Sequence, residues 1–258
     1  MVGFFSASQQ AKNSLGQMAG PCRQTQGGEK CASCILDTTE YFKGLSLAAK
    51  RELQAMMRLS RFARHEMLHA EGQPAERFCI LMHGEAKEFR ALPDGRHQIH
   101  KLAVIPGEVI GCQDMFLETY GSSVEAITPV TACCLKRQDL LAGIARYPEV
   151  GLAMLRTMAR DLNACIRHIA NLGQKQAVER LAAYLVYLQE TQAGRVLDHG
   201  VLSEALSRME LADLLGMTPR TLIRSLRDLE HRRIISLARG GFVIRSPKEL
   251  ERLGAGGA

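Results

Sequence analysis

The segment 207–230, SRMELADLLGMTPRTLIRSLRDLE, leaves the chain least freedom in how it can fold. Leu211, Leu214 and Leu215 supply one apolar helix face, and Gly216 permits a tight turn after it. Thr218 followed by Pro219 marks a second helix start. The hydroxyl can cap an orphan N–H, and proline at the first helical position has no N–H to lose. Leu222, Leu226 and Leu229 then face inward, which turns Arg220, Thr221, Arg224 and Arg227 outward. The apolar runs 234–237 and 241–244, either side of Arg239-Gly240, read as a hairpin. Helix, tight turn, helix and hairpin make a winged helix-turn-helix, predicted here for the unit 174–258.

Charge agrees with that pattern. Between Thr218 and Arg245 stand seven arginines, against only Asp228 and Glu230 among acidic residues. A polyphosphate partner rewards such a local excess, because each neutralised phosphate releases a condensed counterion. A merely solvated basic face would carry the charge without the turn and the two amphipathic helices.

Upstream, Leu155, Met158, Leu162, Cys165, Ile169 and Leu172 recur at spacings of 3, 4, 3, 4 and 3. This is the a/d seam of a coiled coil, narrower than the stripe of a helix packed on a globular core. Residues 148–173 are therefore expected to form one long helix that pairs with a second copy of the chain. An ordinary core helix is the plainer alternative.

The segment 38–147 has a different texture. After a helical pattern over 41–63 come short apolar runs bounded by turn residues. The run 78–82 precedes His83-Gly84; 86–92 leads into Pro93-Asp94-Gly95; 99–105 leads into Pro106-Gly107-Glu108. Then 109–111 and 124–135 complete the series. Short strands at this spacing predict a small antiparallel β-barrel or roll. The fold class expected is thus α+β: an N-terminal antiparallel β-roll, a long dimerisation helix, and a C-terminal winged helix-turn-helix.

Nothing in the 258 residues approaches the ~20-residue apolar run needed to span a bilayer. The first 14 residues lack the cationic region of a secretory signal. The expected location is the cytoplasm, where thiols stay reduced, so eight cysteines argue for metal binding or redox chemistry over a disulfide framework. Three of them, Cys22, Cys31 and Cys34, lie in the Gly- and Gln-rich tail 1–37.

The order of tail, roll, heptad helix and winged helix-turn-helix resembles the CRP/FNR superfamily of bacterial transcription regulators. Gly84-Glu85, 106–111 (PGEVIG), 178–184 (VERLAAY) and the helix-turn-helix carry the resemblance, which extends over about 36–247. It implies a homodimer bound to a near-palindromic double-stranded DNA operator, with the second helix in the major groove and RNA polymerase as a further partner. The DNA-contacting residues would be Thr218, Arg220, Thr221, Arg224 and Arg227. In the family a glutamate usually stands at the position of Arg220, so the usual half-site cannot be carried over. Arg220 and Arg224 are one helical turn apart, and each guanidinium can pair bidentately with guanine O6 and N7.

The resemblance also frames what is sensed. Cyclic-AMP-binding members hold the phosphate with an Arg-Ser pair, where this chain has Ser122-Ser123. A buried phosphate would then lack its charge partner, and no cAMP is expected. FNR-like members ligate a 4Fe-4S cluster through tail cysteines and one roll cysteine, which implies Cys22, Cys31, Cys34 and Cys133 here. Cys134 or Cys112 stands as an alternative fourth ligand. Thiolate is the donor such clusters require, and the expected signal is oxygen, nitric oxide or redox state. Cys79 and Cys165 read as small buried hydrophobes. The alternatives are haem on one of His65, His69, His83, His97 and His100, unligated redox-reactive thiols, or no cofactor. A zinc site on Cys31 and Cys34 lacks a His pair at suitable spacing.

An enzyme is not expected, since the sequence has no phosphate-cradling glycine loop, nucleophile elbow or metal-hydrolase helix motif. A cyclic-nucleotide-binding-like signalling module remains the non-regulator alternative, and such a module would have no use for the helix-turn-helix.

Overall fold

The computed structural model describes residues 35–39, 42–93, 95–191 and 202–256. They fall into two compact units, one of 35–89 with 101–162 and the other of 90–100 with 163–256.

The first unit opens with α1 (Ile35–Thr38) and α2 (Leu47–Met56). Ser46 caps α2 by accepting from the Ala49 N–H at 3.2 Å. Met57 is extended and ends the helix. The helical pattern over 41–63 therefore stops early, and Arg58–Phe62 is strand β1. Its pairing with a distant strand, Val130–Lys136, outweighs the helical spacing of Met56, Met57 and Leu59.

The strands that follow are β2 (Met67–His69), β3 (Arg77–His83), β4 (Ala86–Ala91), β5 (His97–Ala103), β6 (Val109–Ile110), β7 (Ser123–Ala126) and β8 (Val130–Lys136). The apolar stretch 124–135 is thus two strands, split around Pro129, which cannot donate to a ladder. Among the described residues they build two four-stranded sheets, ordered β1-β8-β3-β6 and β2-β7-β4-β5, with antiparallel pairing.

The near-continuous apolar runs of β3 and β8 arise because both faces of their sheet are covered. In β3, Phe78, Ile80 and Met82 join one core cluster while Cys79 and Leu81 join the other. In β8, Cys133 and Leu135 join the first, whereas Val130, Ala132 and Cys134 join the second. The second cluster also takes Leu68, Ala86, Val124 and Ala126 from the other sheet, so it is the filling between the sheets. The first lies outside them and is closed by Ile35 and Leu36 of α1, by α2, by α3 (Arg137–Arg146), and by the first turns of α4 (Pro148–Gln174).

In the second unit, α5 (Ala177–Thr191) is buried continuously from Leu181 to Leu188. Around it run β9 (Leu202–Ser203), α6 (Arg208–Leu214), α7 (Pro219–His231), β10 (Ile235–Ala238), β11 (Gly241–Ile244) and α8 (Pro247–Gly254). The strands form a small sheet ordered β10-β11-β9, so the expected hairpin gains a third strand. The segment 90–100 belongs to this unit, and Gln98 Nε2 donates to the Asp213 carbonyl at 2.8 Å.

Candidate nucleic-acid interface and sensor residues

Local chemistry fixes both helices of the helix-turn-helix. Ser207 and Glu210 form a reciprocal capping box at the start of α6. Gly216 makes the turn at φ +59, and a Cβ there would stand 2.8 Å from Leu172 Cδ2. Thr218 caps α7 by accepting from the Thr221 N–H at 3.2 Å, and the two threonine hydroxyls are 2.9 Å apart. Leu222, Ser225, Leu226 and Leu229 are the buried face of α7.

Arg220, Arg224 and Arg227 are exposed, as is Thr218, while Thr221 is half-buried. Within the described residues none of the three guanidiniums has an ion-pair or hydrogen-bond acceptor. By contrast Arg232 is held by Asp228 at 3.0 Å and Arg245 by the Ser236 hydroxyl at 3.0 Å. The carboxylate of α7 nearest its arginines in sequence is thus engaged elsewhere. The wing presents exposed Leu237 and Arg239.

On α4 the residues of the seam separate by exposure. Leu155, Leu162, Cys165 and Ile169 are exposed and Met158 is half-buried. Leu172 is half-buried, its Cδ2 turned to Gly216. Leu152 and Ile166, outside the 3-4 spacing, are exposed as well and widen the stripe. Thr157, Ala153 and Met154 are buried instead.

The cysteines divide by strand face. Cys22, Cys31 and Cys34 lie outside the described residues. Cys133 is buried in the outer core, in the same cluster as Ile35 and Leu36, the two residues that follow Cys34. Cys134 points between the sheets, where it is disulfide-bonded to Cys79. Cys79 is therefore not the inert apolar filler the sequence suggests, because the β3–β8 register sets it opposite Cys134. Cys112 is fully buried, and burial pushes its thiol up to about 12. Cys165 is exposed on α4 rather than buried within the protomer.

Of the histidines proposed for haem, His65 lies 2.9 Å from Glu125. His69 stacks on Tyr120 with ring centroids 3.8 Å apart, and burial lowers its pKa to about 4. His83 and His97 are exposed and His100 is half-buried. Among the described residues no group of three or more His, Cys, Asp or Glu side chains is disposed to hold a metal.

The roll also contains a polar network that no sequence motif announces. Glu88 on β4 is buried and accepts from Gln113 Nε2 at 2.7 Å and from the Ser122 hydroxyl. Ser123 Oγ accepts from the Glu71 N–H at 3.0 Å. Lys101 Nζ donates to Asp161 of α4 at 2.7 Å and to the Val109 carbonyl at 3.1 Å. Burial alone would lower the Lys101 pKa, but Asp161 and Glu88 outweigh it and hold the ammonium charged.

Two family models match separate parts of the chain: the cyclic nucleotide-binding domain over 59–147 and the Crp-like helix-turn-helix domain over 179–253. The CRP-like cAMP-activated global transcriptional regulator of Mycobacterium tuberculosis is 30% identical, over 84% of this chain and 97% of that protein. The chain belongs to the CRP/FNR family of transcription regulators. Another relative in this family is the nitrogen fixation regulation protein FixK of Bradyrhizobium diazoefficiens, 27% identical over 88% of this chain and 95% of its own. Among solved structures, that of FixK2 from Bradyrhizobium japonicum matches with a TM-score of 0.69 and 26% identity, covering 78% of this chain and 99% of that one. The family places DNA binding in the winged helix-turn-helix and makes the protein a regulator, not an enzyme. Among the described residues no helix is long and apolar enough to cross a membrane.

Proposed function

We propose that the protein is a homodimeric, sequence-specific regulator whose two copies of α7 enter successive major grooves of a near-palindromic operator. The observation that carries this reading is the exposed face of α7, where Arg220, Arg224 and Arg227 have no acceptor within the described residues. Arg220 and Arg224 sit in the first two turns, the part of such a helix that meets base edges. Thr218 and Thr221, at the helix start, suit phosphate contacts. The exposed stripe of α4 supplies the dimer contact, and RNA polymerase is the further partner of a regulator acting at a promoter.

The switch in this proposal is a 4Fe-4S cluster held by Cys22, Cys31, Cys34 and Cys133. Two features of the roll support the choice of Cys133. It faces the core that receives Ile35 and Leu36, next in sequence to Cys34. Cys134 faces the other way and is bonded to Cys79. The donor set would be four thiolates, and the group they hold would supply iron and sulfide that oxygen or nitric oxide consumes. Cyclic AMP does not fit this reading, although one relative is named for it. Ser122 takes the place of the family's arginine and donates to the buried carboxylate of Glu88, which an incoming phosphate would face.

Protein purified without oxygen is expected to be brown, with about four irons and four sulfides per chain. Serine in place of Cys22, Cys31, Cys34 or Cys133 should each remove the colour, whereas Cys79→Ser and Cys165→Ser should keep it. Air should weaken operator binding in step with iron loss. The Cys79–Cys134 bond favours a second reading, a thiol-redox regulator. Colourless protein whose operator affinity follows added reductant, and loses that response in Cys79→Ser, would establish that reading instead. A Soret band would assign the sensor to haem.

A further inference from the structure

One apolar side chain interrupts the arginine face of α7. Ile223 is 45% exposed, while Leu222, Leu226 and Leu229 of the same helix are buried. With 3.6 residues per turn, Arg220, Ile223, Arg224 and Arg227 project within an arc of about 100°. A single exposed isoleucine on a surface is ordinary and needs no explanation. This one stands between Arg220 and Arg224, in the second turn after the Thr218 cap, on the face that carries the charge.

Position and chemistry limit what it can meet. The first turns of a helix lying in the major groove reach base edges. The apolar group displayed along those edges is the C5-methyl of thymine, while cytosine, adenine and guanine present donors and acceptors that a sec-butyl side chain cannot satisfy. A β-branched residue in a helix has essentially one χ1 rotamer, so Ile223 would lose little freedom on docking.

We propose that Ile223 is a specificity-determining residue that packs on the methyl group of one thymine in each half-site, flanked by the groups that Arg220 and Arg224 contact. The proposal rests on the reading of α7 as the base-reading helix and adds a base preference that the arginines cannot supply. Guanidiniums select guanine or phosphate; the isoleucine selects thymine.

The test uses full-length protein and the operator that it enriches from random-sequence DNA. Each thymine is replaced in turn, symmetrically in both half-sites, by deoxyuridine, which keeps every pairing group and deletes only the methyl. One such replacement is expected to weaken the unmodified protein about fourfold per half-site, or about fifteenfold for the palindrome, and to change Ile223→Ala by less than about twofold. Ile223→Val should retain most of the discrimination. Because the side chain is exposed, neither substitution should alter the circular dichroism of the protein or its dimer. An operator whose thymines are all indifferent to the replacement, or equal sensitivity in Ile223→Ala, would overturn the assignment of Ile223. Failure to enrich any palindrome would overturn the reading of α7 itself.

Discussion

Leu162→Glu is expected to leave the protein monomeric at micromolar concentration. In the protomer Leu162 is 62% exposed, at the middle of a stripe with Leu152, Leu155, Ile166 and Ile169. Burying each such side chain against a second copy is worth ~1.5–3 kcal/mol, so the stripe as a whole can hold a dimer together. Two-fold pairing would bring the two copies of residue 162 close together, and the variant would then face two unpaired carboxylates across an apolar contact. Each buried ion costs several kcal/mol after relaxation, and their mutual repulsion adds to it. A loss of ~4 kcal/mol already weakens association about a thousandfold. The protomer should keep its fold, since the side chain is turned away from the protomer core. Sedimentation should show one species at the monomer mass, with unchanged circular dichroism. A variant that sediments as a full dimer would remove α4 as the dimer contact.

Gly84→Ala should cause the largest loss of stability of any single methyl added to the roll. Gly84 turns between β3 and β4 at φ +90, where L side chains are strained by roughly 1–2 kcal/mol. A Cβ there would also lie 2.3 Å from the Pro129 carbonyl oxygen and 2.9 Å from Val130 Cα. These are backbone atoms at the start of β8, a strand paired on both sides, and they cannot swing away as a side chain tip could. Together strain and clash should cost ~3–5 kcal/mol. Gly72 separates the two effects: its φ is +81, but nothing lies within 4 Å of a Cβ there. Gly72→Ala should therefore lose only the ~1–2 kcal/mol of backbone strain. Denaturant unfolding of the two variants measures the difference, and equal losses would show that the Pro129 contact is of no consequence.

The parts of the fold legible in the sequence are those written in local chemistry. Thr218-Pro219, Gly216 and the leucine spacing specify α6 and α7 within a few residues. Turn residues such as Gly84 and Pro106-Gly107 delimit the strands. What escaped depends on partners far along the chain. Arg58–Phe62 continues a helical spacing in sequence and becomes a strand because β8 pairs with it. Cys79 and Cys134 are 55 residues apart, and only the β3–β8 register sets them opposite. Glu88 carries no motif, and its partners Gln113 and Ser122 come from a different stretch of the roll. Alternation along β8 also sends two adjacent cysteines apart, Cys133 to one core and Cys134 to the other. Ile223 was legible in principle from helical period. An exposed apolar residue belongs to no binding motif, however, and it is the exposure of Ile223 in the fold that sets it apart from the buried leucines beside it.

Two copies of α7 read as one unit require half-sites separated by about one turn of DNA, ~34 Å. The most direct measurement is therefore operator affinity before and after insertion of about five base pairs, half a helical turn, between the half-sites. The insertion rotates one half-site to the opposite side of the duplex while leaving every base contact within each half intact. Affinity is expected to fall to that for unrelated DNA, a loss of about a thousandfold or more. Equal affinity for the two operators would contradict a dimer that reads both half-sites together.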